Sequence, residues 1–132
     1  MTTALVCTAI LGALIFLLGA NVTRLRAVRG KSGEPQGSTD PADRLFLAVR
    51  AHGNASEYVP TLVALFVLAA WQSPGAWSAT LIVAATASRL VHAYGMLSSR
   101  TLAVPTLPRE IAAAGTYLFG VALAATVAVA AF

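Results

Sequence analysis

Four apolar runs divide this chain of 132 residues, and each can be built into a helix long enough to cross a lipid bilayer. A membrane helix needs about 20 mostly apolar residues, because its backbone must satisfy itself across a hydrocarbon core. Ala4 to Val22 supplies the first run. Tyr58 to Trp71 is too short alone, but its helical pattern reaches back to about Asp43. Ala76 to Met96 gives the third, interrupted by Arg89 and His92, and Ile111 to Phe132 the fourth, rich in Ala and Gly. The expected helices are about 4–26, 41–71, 74–97 and 108–131, within one domain covering 1–132. Hydrophobic residues make up 58% and charged residues 11%, roughly half the charged fraction of a soluble domain. The fold class that follows is an all-α membrane protein, a four-helix bundle.

The breaks between the runs have local causes. "STDPAD" offers Asp40 as an N-cap with Pro41 at the first helical position, and "QSPG" offers Ser73 and Pro74 in the same roles. "TLPRE" puts Pro108 and Glu110 at the start of the fourth helix. Residues 27–39 are polar and Gly-rich and read as a flexible loop.

Basic residues set the expected orientation. Arg24, Arg26, Arg29, Lys31 and Arg44 flank the first loop, and Arg100 and Arg109 the third. The second loop and both ends carry no Lys or Arg. Under the positive-inside rule, loops one and three are cytoplasmic and both termini lie outside. The first run lacks the positive n-region of a signal peptide, and a basic cluster follows it, so it reads as a retained span.

The polar residues inside the spans are the candidates for function. Arg50, Asn54 and Glu57 recur at i, i+4 and i+7, which puts them on one side of a helix with Tyr58 beside them. Arg89 and His92 lie at i, i+3 near the same end of the third helix. Arg24 and Arg109 reach that layer from the first and fourth helices. A charge inside a span costs about 2.5–3.5 kcal/mol even on lenient scales, so such residues face protein or water and mark a site.

Plainer roles compete for some of them. Arg26, Arg29 and Lys31 read as topology signals at lipid headgroups, and Arg100 as a snorkelling interface residue. Glu57 could neutralise Arg50 or Arg89, and Asn54 could join two helices. His52 falls off the shared face, and Cys7 reads as packing. A single cysteine excludes an intrachain disulfide and a cysteine metal cluster, and no metal is expected. One carboxylate cannot neutralise Arg24, Arg50, Arg89 and Arg109 together. Water or an anionic ligand must complete the site, and a ligand with carboxylates and an amino group would suit, gripped by arginines and by Glu57.

"RAHGNASEYVP", residues 50–60, resembles the signature R-A-x-x-N-x-x-E-Y-x-P of the MAPEG family, the membrane-associated proteins in eicosanoid and glutathione metabolism. "VTRLR" resembles the family's basic motif at the end of the first helix, and "SRLVHAYG" its R-x-x-[HY] motif on the third. The resemblance covers nearly the whole chain. It implies a four-helix bundle assembled as a homotrimer, with glutathione bound between protomers near the cytoplasmic face. It implies that Arg24, Arg50, Asn54, Glu57, Tyr58, Arg89 and His92 contact the thiol. The arginine that stabilises the thiolate would be Arg109, at the start of the fourth helix, with Arg100 as the alternative. Where some members carry a tyrosine one turn after the third-helix His/Tyr position, this chain has Met96.

The expected function is a membrane transferase or peroxidase that uses glutathione, or another low-molecular-weight thiol, on lipophilic small molecules taken from the bilayer. A bacterial inner membrane is the expected location, and no nucleic-acid partner is expected. A guanidinium would lower the thiol's pKa from about 8.5 and hold the thiolate as nucleophile. The alternatives are a non-catalytic membrane subunit or ligand-binding protein of the same fold, and a small transporter. The first span carries no carboxylate for proton coupling, which counts against the transporter. A cysteine introduced at position 74 is expected to react with an impermeant reagent from outside, and one at position 33 to be protected. The reverse pattern overturns the orientation.

Overall fold

The computed structural model describes residues 1–132, and all its regular structure is helical, with no strand. Its helices are α1 (Thr2–Ser32), α2 (Arg44–Gln72), α3 (Ala76–Ser98) and α4 (Leu107–Val129). All four are long and apolar enough to cross a membrane. Both α2 and α3 pack on all the other helices, whereas the backbones of α1 and α4 do not approach closely. The bundle is thus an α2–α3 pair with α1 on one side and α4 on the other.

The main core lies at mid-depth, where Leu11, Val59, Leu62, Phe66, Ile82 and Leu123 interlock. Towards the loop-one end, Leu18 and Met96 pack against Ala51, Ala55 and Ala93. Small residues there let α2 and α3 approach closely, as membrane helices do where packing rather than solvent exclusion drives association. On the α3–α4 seam, a Cβ at Gly115 would lie 2.5 Å from Ser88 Oγ, so any larger residue there would displace that hydroxyl.

Three helix ends differ from the sequence expectation. First, α1 runs on through residues 27–32, expected to be loop, and ends at Gly33. Gly33 has φ 74°, a left-handed conformation that glycine adopts without a Cβ clash, and Arg29 and Lys31 in the last turn complement the helix dipole. Second, the N-cap of α2 is Asp43, not Asp40. Its Oδ1 accepts from the Leu45 and Phe46 N–H groups at 2.7 and 3.4 Å. Asp40 instead closes a turn, accepting from the Ala42 N–H at 2.9 Å, which leaves Pro41 before the helix. Third, Ser73 ends α2 and does not begin α3. Its N–H still donates to the Ala69 carbonyl, so α3 starts at Ala76 behind Gly75. The start of α4 agrees with expectation, with Pro108 and Glu110 in its first turn.

Arg29 also departs from its expected headgroup role. Its guanidinium hydrogen-bonds and ion-pairs with Asp43 and lies 3.7 Å from a Glu34 oxygen. It therefore ties the end of α1 to the N-cap of α2. Burial raises the Asp43 carboxyl, but the Arg29 hydrogen bond, the two backbone N–H groups and the Arg29 charge outweigh it. The net effect holds the carboxyl below its ordinary value of 3.8. A depressed carboxylate stabilises the fold above its unfolded pKa, and that stability is lost as pH falls through the folded value. Asp43→Ala should cost about 0.5–2 kcal/mol at neutral pH through the lost cap. Its thermal stability in detergent should also fall less steeply than the parent's below about pH 4. Parallel curves for the two proteins would remove the pair from the acid response.

Candidate functional site

Arg89 is the largest fully buried side chain, 1% exposed, halfway along α3. An arginine cannot shed its proton to escape burial, so its neighbours must hold the charge. Arg89 Nη2 donates to Asn54 Oδ1 on α2 at 2.7 Å. Its guanidinium carbon lies 5.2 Å from the centroid of the Tyr58 ring, within cation–π range. The Tyr58 hydroxyl in turn donates to the Tyr117 hydroxyl on α4 at 3.2 Å, with the two rings 5.8 Å apart and tilted. One charge thus gathers α2, α3 and α4. Arg89 Nε, buried, has no partner.

One helical turn further on, His92 is also buried. Its Nδ1 lies 3.1 Å from the Arg109 carbonyl oxygen. A carbonyl only accepts, so Nδ1 carries the proton and donates. Beneath it, a Cβ at Gly95 would sit 3.4 Å from the Arg109 nitrogen, so the first turn of α4 rests almost on the α3 backbone. The Arg109 side chain turns towards loop three, where Nη2 donates to the Leu102 carbonyl at 3.5 Å. Its Nη1 is buried without a partner. Leu102 is itself anchored, its N–H donating to the Pro41 carbonyl of loop one at 2.9 Å.

The remaining expected residues do not join these two groups within the chain. Arg24 donates to Asn21 on its own helix at 3.0 Å and is exposed. Arg50 and Glu57 are exposed, and Arg29 supplies both ion pairs in the structure. Glu57 therefore neutralises neither Arg50 nor Arg89. Asn54 turns inward from the Arg50–Glu57 stripe because i+4 lies about 40° round the helix from i.

Tyr117 went unnoticed in the sequence. It is the one tyrosine of α4, and its polar tip among Ala and Gly was the available signal. Together, Tyr58 and Tyr117 head an apolar groove of about 250 Å³ between α2 and α4, lined also by Leu62, Leu65 and Gly120. A larger groove of about 620 Å³ runs between α3 and α4, but no charged side chain lines it. A third hollow, between α1 and α2, is lined by Thr23, Arg26 and His52.

The model of the MAPEG family matches residues 4–129. The chain belongs to the MAPEG family. No curated protein matches it. It is accordingly an integral membrane protein of a family in glutathione and eicosanoid metabolism. The three motifs that carried the resemblance lie in this MAPEG protein at the loop-one end of α1, in the first half of α2 and in the second half of α3.

Asn54→Ala strands the Arg89 charge and should destabilise the protein by about 1.5–3 kcal/mol, the range for a hydrogen bond to a charged group. Removing both partners, as in Asn54→Leu with Arg89→Met, should cost less than Asn54→Ala alone, because no unpaired charge stays buried. Thermal unfolding in detergent compares the three proteins. If Asn54→Ala is neutral, the bond does not hold Arg89.

Proposed function

We propose that this MAPEG protein is a thiol-dependent membrane transferase or peroxidase. It uses glutathione, or another low-molecular-weight thiol, on lipophilic electrophiles, and works as a homotrimer in a bacterial inner membrane. Loops one and three face the cytoplasm. The observation that carries this reading is that Arg50 and Glu57 lie bare on the outside of a single chain. Glu57 sits about 22 Å before the end of α2 at Gln72, well within a bilayer's hydrocarbon thickness. Lipid does not tolerate such a pair, so another protomer and a polar ligand must cover it.

The buried donors support the same ligand. Arg89 Nε and Arg109 Nη1 each lack an acceptor, and a thiol tripeptide brings carboxylates and a thiolate. Arg24, Arg50, Asn54, Tyr58 and Arg89 are the binding set, with Glu57 taking the ammonium group and Arg109, held by His92, stabilising the sulfur. The proton leaves the thiol for water, because the guanidinium favours the anion. The thiolate then attacks an electrophilic carbon that enters along the α2–α4 groove. The new C–S bond forms as the leaving group departs with its electron pair. With a hydroperoxide, two thiols are oxidised to a disulfide and the peroxide is reduced to an alcohol and water.

Purified trimer should bind glutathione by calorimetry and conjugate it to a chlorinated aromatic. Arg50→Ala or Glu57→Gln should weaken binding by about 2–5 kcal/mol, the usual cost of truncating one partner of a desolvated charge pair. Binding without turnover favours a non-catalytic ligand-binding protein. Failure to bind glutathione or any other cellular thiol sinks the proposal.

A further inference from the structure

We infer that His92 is a positioning residue for Arg109, acting on the backbone of α4 and not through the ligand. Its Nδ1 donates to the Arg109 carbonyl at 3.1 Å, and its ring is buried between the helices. A hydrogen bond from a neighbouring helix to a first-turn carbonyl fixes the height and rotation at which α4 begins. The near contact at Gly95, one turn along the same face of α3, sets the distance. Leu102 holds the Arg109 side chain from the opposite direction, and Pro41 holds Leu102. The guanidinium is therefore aimed by a backbone tie on α3 and a side-chain tie on loop three, while Nη1 is left without a partner.

The consequence for chemistry rests on the thiol-dependent reading above. Stabilising a thiolate requires a guanidinium at a fixed place, and a misplacement of about 1 Å can cost on the order of 100-fold in rate. His92 then influences the sulfur through Arg109. Its Nδ1 is at the δ position of the side chain, so an asparagine amide nitrogen reaches the same spot, whereas a glutamine amide lies one bond further out.

The test uses the full chain as trimer and has two parts. In the first, amide exchange is followed at Glu110 to Ala113, in the first turns of α4. His92→Phe should speed it about tenfold, the loss expected for one hydrogen bond. His92→Asn should restore the parent rate, and His92→Gln should not. Exchange at Leu47 and Ala48 in α2 should be unchanged. In the second part, the ultraviolet absorbance of bound thiolate is titrated with pH. His92→Phe should raise the bound thiol's pKa and lower kcat about 10- to 100-fold, with thiol affinity nearly intact. It should add little when combined with Arg109→Ala. Gly95→Val, which pushes the same turn away with His92 intact, should reproduce both effects and serves if the phenylalanine variant fails to fold.

Unchanged exchange in α4 overturns the inference. So does weakened thiol binding with an unmoved titration, which makes His92 a direct ligand. If the parent binds no thiol, the functional reading fails, and the exchange measurement alone decides whether His92 sets Arg109.

Discussion

A guanidinium buried in a membrane bundle is the constraint around which this protein is arranged. Arg89 cannot be neutralised by losing its proton, and no carboxylate of the chain reaches it. The bundle instead supplies an amide oxygen from Asn54 and an aromatic face from Tyr58. Both come from α2, so α2 must lie against α3 with its first half at the depth of Arg89. The small residues Ala51, Ala55 and Ala93 allow that approach. Tyr58 reaches on to Tyr117, which draws α4 to the same level. The core at mid-depth is apolar and could tolerate many arrangements, whereas the hydrogen-bonded arginine permits few.

Such an arrangement satisfies the charge only in part, and the shortfall has a direction. Apart from the Thr8 hydroxyl, the buried side-chain groups without a partner are the charged donors of Arg89 and Arg109, and the bare charges deepest in α2 are Arg50 and Glu57. Donors inside and charges outside both lie in the loop-one half of the bundle. A soluble protein would expose this layer to water. In a bilayer the same layer is what the proposed thiol-dependent reading covers, with a seam between copies and an anionic ligand in it. The apolar α2–α4 groove begins at Tyr58 and Tyr117, and in the proposed reaction those two rings are where the lipid-soluble reactant would meet the thiol.

The sequence made the four spans legible because length and apolarity decide what can cross a membrane. It also made legible the residues that matter in the buried network, since Arg89, Asn54 and Tyr58 are expensive at those depths. Helix ends were less legible. "STDPAD" contains two aspartates that can cap, and the choice of Asp43 over Asp40 depends on Arg29, which is 14 residues away in sequence. Residues 27–32 looked like loop by composition and became helix because Gly33 stops α1 and Arg29 anchors it. Which side of α2 each polar group faces was not legible either. Asn54 and Glu57 are three residues apart and share a stripe, yet one meets Arg89 and the other is exposed. That division depends on where α3 lies, which periodicity on α2 alone does not contain.

The same dependence on distant partners explains how the start of α4 is ordered at all. The connection from Ser99 to Thr106 contains no regular structure, and α4 has no side-chain N-cap. A helix end of this kind frays unless something outside it supplies the missing bonds. Here the support comes from two directions. Asp43 and Arg29 fix loop one, Pro41 of that loop holds Leu102, and the Leu102 carbonyl takes the Arg109 guanidinium. On the other side, His92 holds the Arg109 backbone to α3. Arg29, which by sequence reads as a topology signal, is therefore with Asp43 the outer end of a chain of contacts leading to the arginine proposed to act on sulfur. Loosening either end would leave the bundle core intact and still change the aim of that side chain.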